Sequence, residues 1–106
     1  MKLGMILYTA DPETVWNAFR FGTYALREGD TVRIFLMGKG VECGSGDSGI
    51  FNVQEMMQSF ADNGGEILAC GSCLAIRHAD GSALCPASTL KDMYDVVANA
   101  DKVLTF

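Results

Sequence analysis

Glu66-Ile67-Leu68-Ala69-Cys70-Gly71-Ser72-Cys73-Leu74-Ala75-Ile76-Arg77-His78 is the stretch on which the reading of this chain turns. An apolar run stops at a cysteine, a Gly-Ser pair turns the backbone, and a second cysteine opens what reads as a short helix ending near His78. A strand running straight into a helix is the repeating joint of an α/β sheet. It is also a setting for a reactive thiol. Helix N-termini carry partial positive charge and free N–H groups, and both favour the thiolate.

Working outward, the same alternation recurs on both sides. Leu3 to Tyr8 is an apolar run suited to a strand buried on both faces. Asp11, Pro12 and Glu13 supply an N-cap, a first helical residue and a dipole-complementing acid, so a helix is expected from Pro12 to about Glu28. Its stripe is Val15, Ala18, Phe19, Gly22, Ala25 and Leu26. Thr31 to Met37 reads as a second strand. The glycine-rich residues 38–49 show no core pattern and are expected to form a loop over the site, since loops of this length are usually functional. Asn52 with Glu55 makes a capping box, with Phe51 and Met56 at the staple positions, for a helix over Val53 to Asp62. Asn63-Gly64-Gly65 ends it. Beyond His78, Ser82 to Cys85 reads as a weak fourth strand stopped by Pro86. Ser88 or Thr89, with Asp92 reciprocating for Thr89, caps a last helix striped by Leu90, Met93, Val96, Val97 and Ala100. Residues 101–106 close the chain as a fifth strand.

The expectation is therefore a single α/β domain over residues 1–106, a five-stranded, mainly parallel sheet flanked by helices in flavodoxin-like fashion. A strand order of 2-1-3-4-5 places the topological switch point between the first and third strands, with Tyr8, Thr9 and Cys70 around it. At 106 residues such a domain buries roughly 65% of its unfolded surface and needs neither disulfide nor metal to hold a core. A net charge of −5 argues against nucleic acid and anionic membrane surfaces as partners. No apolar run approaches a membrane span, and the first residues turn polar too soon for a signal peptide. A cytoplasmic protein with four reduced cysteines is expected.

Cys70-Gly71-Ser72-Cys73 admits dithiol redox chemistry, sulfur transfer through a persulfide, metal ligation, or plain burial of small apolar residues. Cys70 and Cys73 are the candidate catalytic residues. Gly71 and Ser72 offer backbone N–H groups, and Arg77 and His78, a turn beyond, offer positive charge. Cys43 is a candidate resolving thiol. Cys70, Cys73, His78 and Cys85 approach a zinc-knuckle spacing, but the last gap is too long and Leu74-Ala75-Ile76 looks packed, so no metal and no cofactor are expected. Gly44-Ser45-Gly46-Asp47-Ser48-Gly49 matches a dinucleotide fingerprint by letter, yet it follows the second strand and puts an acid where phosphate would approach. No serine sits in a nucleophile elbow and His78 is the lone histidine, which speaks against hydrolysis. Trp16 lies on the first helix as a core or oligomer contact.

Three stretches carry a resemblance: Val32 to Val41, Ile67 to Arg77, and Met93-Tyr94 with the closing Ala100 to Phe106. They resemble the DsrE/DsrF-like group of small sulfur-relay proteins, including YchN-like and TusD-type subunits. The resemblance is most specific in the Cys-Gly-x-Cys followed by Arg77. It implies a five-stranded α/β fold, homo- or hetero-oligomers that are often trimers or hexamers, and a persulfide-carrying cysteine at the Cys70 position. Cys73 matches the second cysteine of the YchN-like branch, and His78 stands where glycine is usual. The implied reading is a sulfur carrier in which Cys70 takes sulfur from a donor and passes it to a protein or small-molecule thiol. Cys73 supports Cys70 or resolves the persulfide. The alternative is a non-enzymatic oligomeric protein whose pocket binds a small ligand or partner.

Overall fold

Leu3, Met5 and Leu7 alternate with Gly4 and Ile6, so strand β1 (Lys2–Leu7) turns an apolar row to each side of the sheet. The computed structural model describes residues 1–45 and 49–106; part of the Gly44–Gly49 fingerprint lies outside them. The strands β1, β2 (Thr31–Leu36), β3 (Glu66–Cys70), β4 (Ala87–Ser88) and β5 (Lys102–Thr105) form one sheet in the order β4-β3-β2-β1-β5. Every pairing is parallel.

The order 2-1-3-4-5 is thus corrected: β3 pairs with β2, not with β1. The register explains the choice. Ile34, Phe35 and Leu36 meet Ile67, Leu68 and Ala69, and Arg33 meets Glu66 with an ion pair at 3.1 Å. The chain steps one way from β1 to β4, and then crosses back over the sheet to β5. Right-handed crossovers in opposite directions place their helices on opposite faces. Accordingly α1 (Pro12–Arg27) and α2 (Val53–Asp62) pack on one face, with Val15, Phe19, Met57 and Phe60 over Met5, Leu7, Ile34 and Ile67. The return helix α4 (Leu90–Asn99) packs Val96 and Met93 on the other, over Ile6 and Phe35. The direction of winding reverses between β1 and β5, so Cys70 does not stand at the switch point; β2 lies between β3 and β1.

Local signals set most boundaries. Asp11 accepts the Thr14 N–H at 3.0 Å and Asn52 accepts the Glu55 N–H at 3.1 Å, so both helices begin at their caps. Trp16 is part of the packing, its ring tilted against the Phe51 ring at 5.6 Å with Arg20 over it. Three local expectations are corrected. Residues 38–45 are not irregular: they wind as a 3-10 helix, with the Gly40 N–H bonded to the Met37 carbonyl at 2.9 Å. Ser82 and Cys85 close a turn upon each other instead of extending, because the serine hydroxyl competes for the Cys85 N–H. The fourth strand follows Pro86, whose carbonyl accepts the Ala69 N–H at 3.0 Å. At α4, Asp92 takes its hydrogen bond from the Ser88 hydroxyl at 2.6 Å, and the Thr89 side chain makes no cap bond.

Candidate functional site

β3 delivers its last residue, Cys70, to the carboxyl rim of the sheet, where it is also the N-cap residue of α3 (Gly71–Ile76). Alternation along the strand turns Cys70 toward α4, among Ile6, Phe35 and Val96, and leaves it only 4% exposed. Cys73 follows at the third helical position. It is half-buried against the same cluster beside Met37 and Met93, while Leu74 turns into the core on the opposite face. Gly71 is required here by space: a Cβ would stand 2.9 Å from the Ser88 carbonyl oxygen of β4.

Donors converge on Cys73. The Gly38 N–H, just beyond β2, points at its Sγ at 3.2 Å. Gly38 adopts φ +56°, a left-handed conformation open to glycine, and this turn aims the N–H across the rim. Arg77 donates to the Cys73 carbonyl at 3.0 Å and to Glu42 at 2.8 Å, which anchors its guanidinium near the sulfur. The Cys73 thiol is held below its ordinary value, first by hydrogen bonding from the Cys70 thiol, then by the Gly38 N–H and by the Arg77 charge, against partial burial. Cys70 is pushed the other way: burial raises it most, and donating a hydrogen bond to Cys73 raises it further, while the N–H groups of Cys73 and Ser72 pull it down in part. The expectation places the anion on Cys70; the direction of these shifts favours Cys73. A side chain enclosed by hydrocarbon is kept neutral, and the partner one turn later, at the rim, is favoured as thiolate.

The family model described as DsrE/DsrF-like family matches residues 1–106. The chain belongs to the DsrE/DsrF-like family. An uncharacterized protein of Methanocaldococcus jannaschii is 31% identical to this family member over 114 residues, covering all of both chains. An uncharacterized protein of Methanopyrus kandleri is 31% identical over 100 residues, covering 89% of this chain and 83% of its own. A solved structure of a conserved protein of unknown function from Bacteroides thetaiotaomicron superposes with a TM-score of 0.80 at 19% identity. The match covers 99% of this chain and 94% of that one, and supports the α/β fold.

The remaining expected residues of this DsrE/DsrF-like chain lie at different distances from the pair. Ser72 contributes its N–H toward Cys70 while its side chain is exposed. Tyr8 is one residue away: its ring packs on Gly38 and its hydroxyl donates to the Met37 sulfur at 3.2 Å. Thr9 serves the start of α1, accepting the Asp11 N–H at 3.0 Å. His78 is exposed with φ +51°, which explains why glycine suits this position. Among the described residues its ring has no hydrogen-bond or ion-pair partner.

Cys43 belongs to the core on the α1/α2 face, at 1% exposure and 3.9 Å from the Met57 sulfur. The sheet separates it from Cys70, so this arrangement does not offer Cys43 as a resolving thiol. Burial pushes its thiol up to about 12, and burial pushes Cys85 up to about 11. Both line a cavity of about 760 Å³ together with Arg77 and Leu74; neither Cys70 nor Cys73 lines it. Among the described residues no three of His, Cys, Asp or Glu gather as a metal would need, so the zinc-like spacing does not converge. Nor is any described helix long and apolar enough to cross a membrane.

Gly38, Met37 and Glu42 were not among the candidate residues. Their only trace in the sequence is the glycine immediately past a strand end, Met37-Gly38, inside the Val32–Val41 stretch.

Proposed function

We propose that this DsrE/DsrF-like protein is a cysteine-based sulfur carrier of the cytoplasm in which Cys73 takes up a sulfane sulfur as a persulfide. The observation that carries the reading is the Gly38 N–H aimed at the partly exposed Cys73 sulfur at 3.2 Å, with the Arg77 guanidinium tied to the Cys73 carbonyl beside it. The thiolate is the nucleophile in sulfur exchange, and these donors raise its share at neutral pH. The Cys73 thiolate attacks the outer sulfur of a donor persulfide. A new S–S bond forms, the donor's own S–S bond breaks, and the donor leaves as a thiolate. An acceptor thiol, on a protein or a small molecule, then takes the outer sulfur from Cys73. Cys70 holds the attacking sulfur ready in this step, which exchanges the roles expected of the two cysteines.

Copies of the chain associate in this proposal through the β5 edge. Tyr24 and Phe21 of α1 stand exposed beside Leu104 and Phe106, around a hollow of about 660 Å³. Exposed apolar patches of this kind mark association surfaces.

The test is mass spectrometry of each cysteine after exposure to a sulfane donor under anaerobic conditions. One added sulfur on Cys73, lost in Cys73→Ser and slowed in Arg77→Gln, is the expected result. Loading that persists unchanged in Cys73→Ser refutes the assignment. Light scattering of the wild type and of Tyr24→Glu tests the association: a smaller particle in the variant is expected, and an identical one refutes it.

A further inference from the structure

We infer that Cys70 resolves the persulfide formed on Cys73, so that the site releases hydrosulfide and closes to a Cys70–Cys73 disulfide that an external dithiol must reopen. This rests on the carrier reading above.

Position is the first argument. Cys70 caps the helix on which Cys73 is the third residue, and both pack into one cluster with Met37 and Met93. Cys70 is nearly enclosed, so a bulky acceptor cannot reach it, yet Cys73 follows it within one helical turn. The second argument is timing. While Cys73 is a free thiolate, its charge and the shared proton hold Cys70 neutral and inert. Once Cys73 carries a second sulfur, the charge moves outward to the terminal atom and the Cys73 Sγ no longer accepts the Cys70 thiol as an anion. The N–H groups of Ser72 and Cys73 then act on Cys70 with less opposition. Loading Cys73 thereby lifts the part of the opposition to Cys70 ionisation that comes from Cys73, while burial still acts on it. A thiol of higher pKa, once ionised, is also the stronger nucleophile.

The step balances as follows. The Cys70 sulfur attacks the Cys73 Sγ, the bond between that Sγ and the outer sulfur breaks, and hydrosulfide leaves with the proton from Cys70. The sulfane sulfur is reduced by two electrons to sulfide, and the two cysteines are oxidised to the disulfide. A dithiol reductant restores both thiols. The turnover reaction is then reduction of sulfane sulfur to hydrosulfide at the expense of a dithiol, with transfer to other acceptors competing only while the persulfide survives.

The experiment loads the full chain with inorganic polysulfide, removes the excess by gel filtration without reductant, and follows both trapped hydrosulfide and protein mass. The wild type is expected to release hydrosulfide in proportion to protein and to finish two hydrogens lighter. Cys70→Ser, which keeps a hydroxyl donor and a good capping residue but cannot form the disulfide, is expected to hold the added sulfur on Cys73 for at least about tenfold longer. Cys70→Ala, checked for folding by circular dichroism, should behave like Cys70→Ser. A wild type that keeps its added sulfur as long as Cys70→Ser overturns the inference and leaves the carrier reading standing. Absence of added sulfur on Cys73 in Cys70→Ser, together with no hydrosulfide from the wild type, overturns both.

Discussion

Replacing Gly38 by alanine separates the two jobs of that residue, which are to turn the chain after β2 and to aim an N–H at Cys73. Gly38 has φ +56°, and an added Cβ meets the Tyr8 ring at 3.3 Å. The left-handed conformation costs a non-glycine residue about 1–2 kcal/mol. The ring contact adds little, because Tyr8 is exposed and can swing aside. With unfolding entropy near the usual value per residue, that loss lowers Tm by roughly 4–9 °C for a chain of this length. Gly64 provides the control. It also has a positive φ, at +96°, and a Cβ there meets nothing within 4 Å. Gly64→Ala should therefore lose comparable stability and leave the cysteines untouched. In Gly38→Ala, by contrast, relaxation of the strained turn swings the N–H off the sulfur, and the pH profile of Cys73 alkylation moves upward. Urea unfolding and iodoacetamide rates, resolved by cysteine through mass spectrometry, read both effects. If the two variants show the same alkylation profile as the wild type, the Gly38 N–H does not hold the thiolate and the geometry at the rim has been misassigned.

Other expectations follow from neighbouring contacts. Arg77→Gln removes a guanidinium whose partner Glu42 is 50% exposed, so stability should change by no more than about 1 kcal/mol, while Cys73 alkylation shifts to higher pH. An unshifted profile would show that the charge does not reach the sulfur. Gly71→Ala drives a Cβ against the Ser88 carbonyl and should cost about 1–3 kcal/mol in urea unfolding, with β4 amides losing hydrogen-exchange protection first; protection kept at Ala87 and Ser88 counts against that. Cys43 and Cys85 make the fold sensitive to alkali. Their thiols stand at about 12 and about 11 when folded and near 9.0 when not. The stability they provide is complete below pH 9.0 and drains as pH rises toward those folded values, because the unfolded chain ionises first. Cys43→Ala should flatten the alkaline limb of a stability–pH curve, and an equally steep limb in the variant would exclude Cys43 as a cause.

Elements written in contiguous residues could be read from the sequence, and elements that depend on a distant partner could not. The bounds of α2 and β3 follow from a capping box, a glycine stop and an apolar run, all within a few residues. The strand order depends on which strand β3 meets, and Arg33 opposite Glu66 is visible only once β2 is laid beside it. β4 is two residues long and carries no periodicity, so the stronger apolar signal of residues 82–85 displaced it. The role of Gly38 is illegible in the sequence for the same reason: its partner lies 35 residues away, and nothing adjacent to it marks a thiol.

The division of labour between the two cysteines follows from the covering of the sheet. A strand coated by helices on both faces buries its last side chain whichever way that side chain turns. Cys70 therefore meets hydrocarbon on the α4 face, and on the other face it would have met the cluster around Ala69 and Ile67. A residue so placed is kept neutral by the cost of desolvating its charge. In the proposed carrier the resting anion comes after the chain has left the sheet, and the first residue to do so with a thiol is Cys73. There the helical rotation carries it back to the rim, within reach of the neighbouring strand's end and of solvent. In the proposed carrier, the continuous apolar run that identifies β3 is thus itself the reason the first cysteine of the motif serves as proton donor and the second as nucleophile.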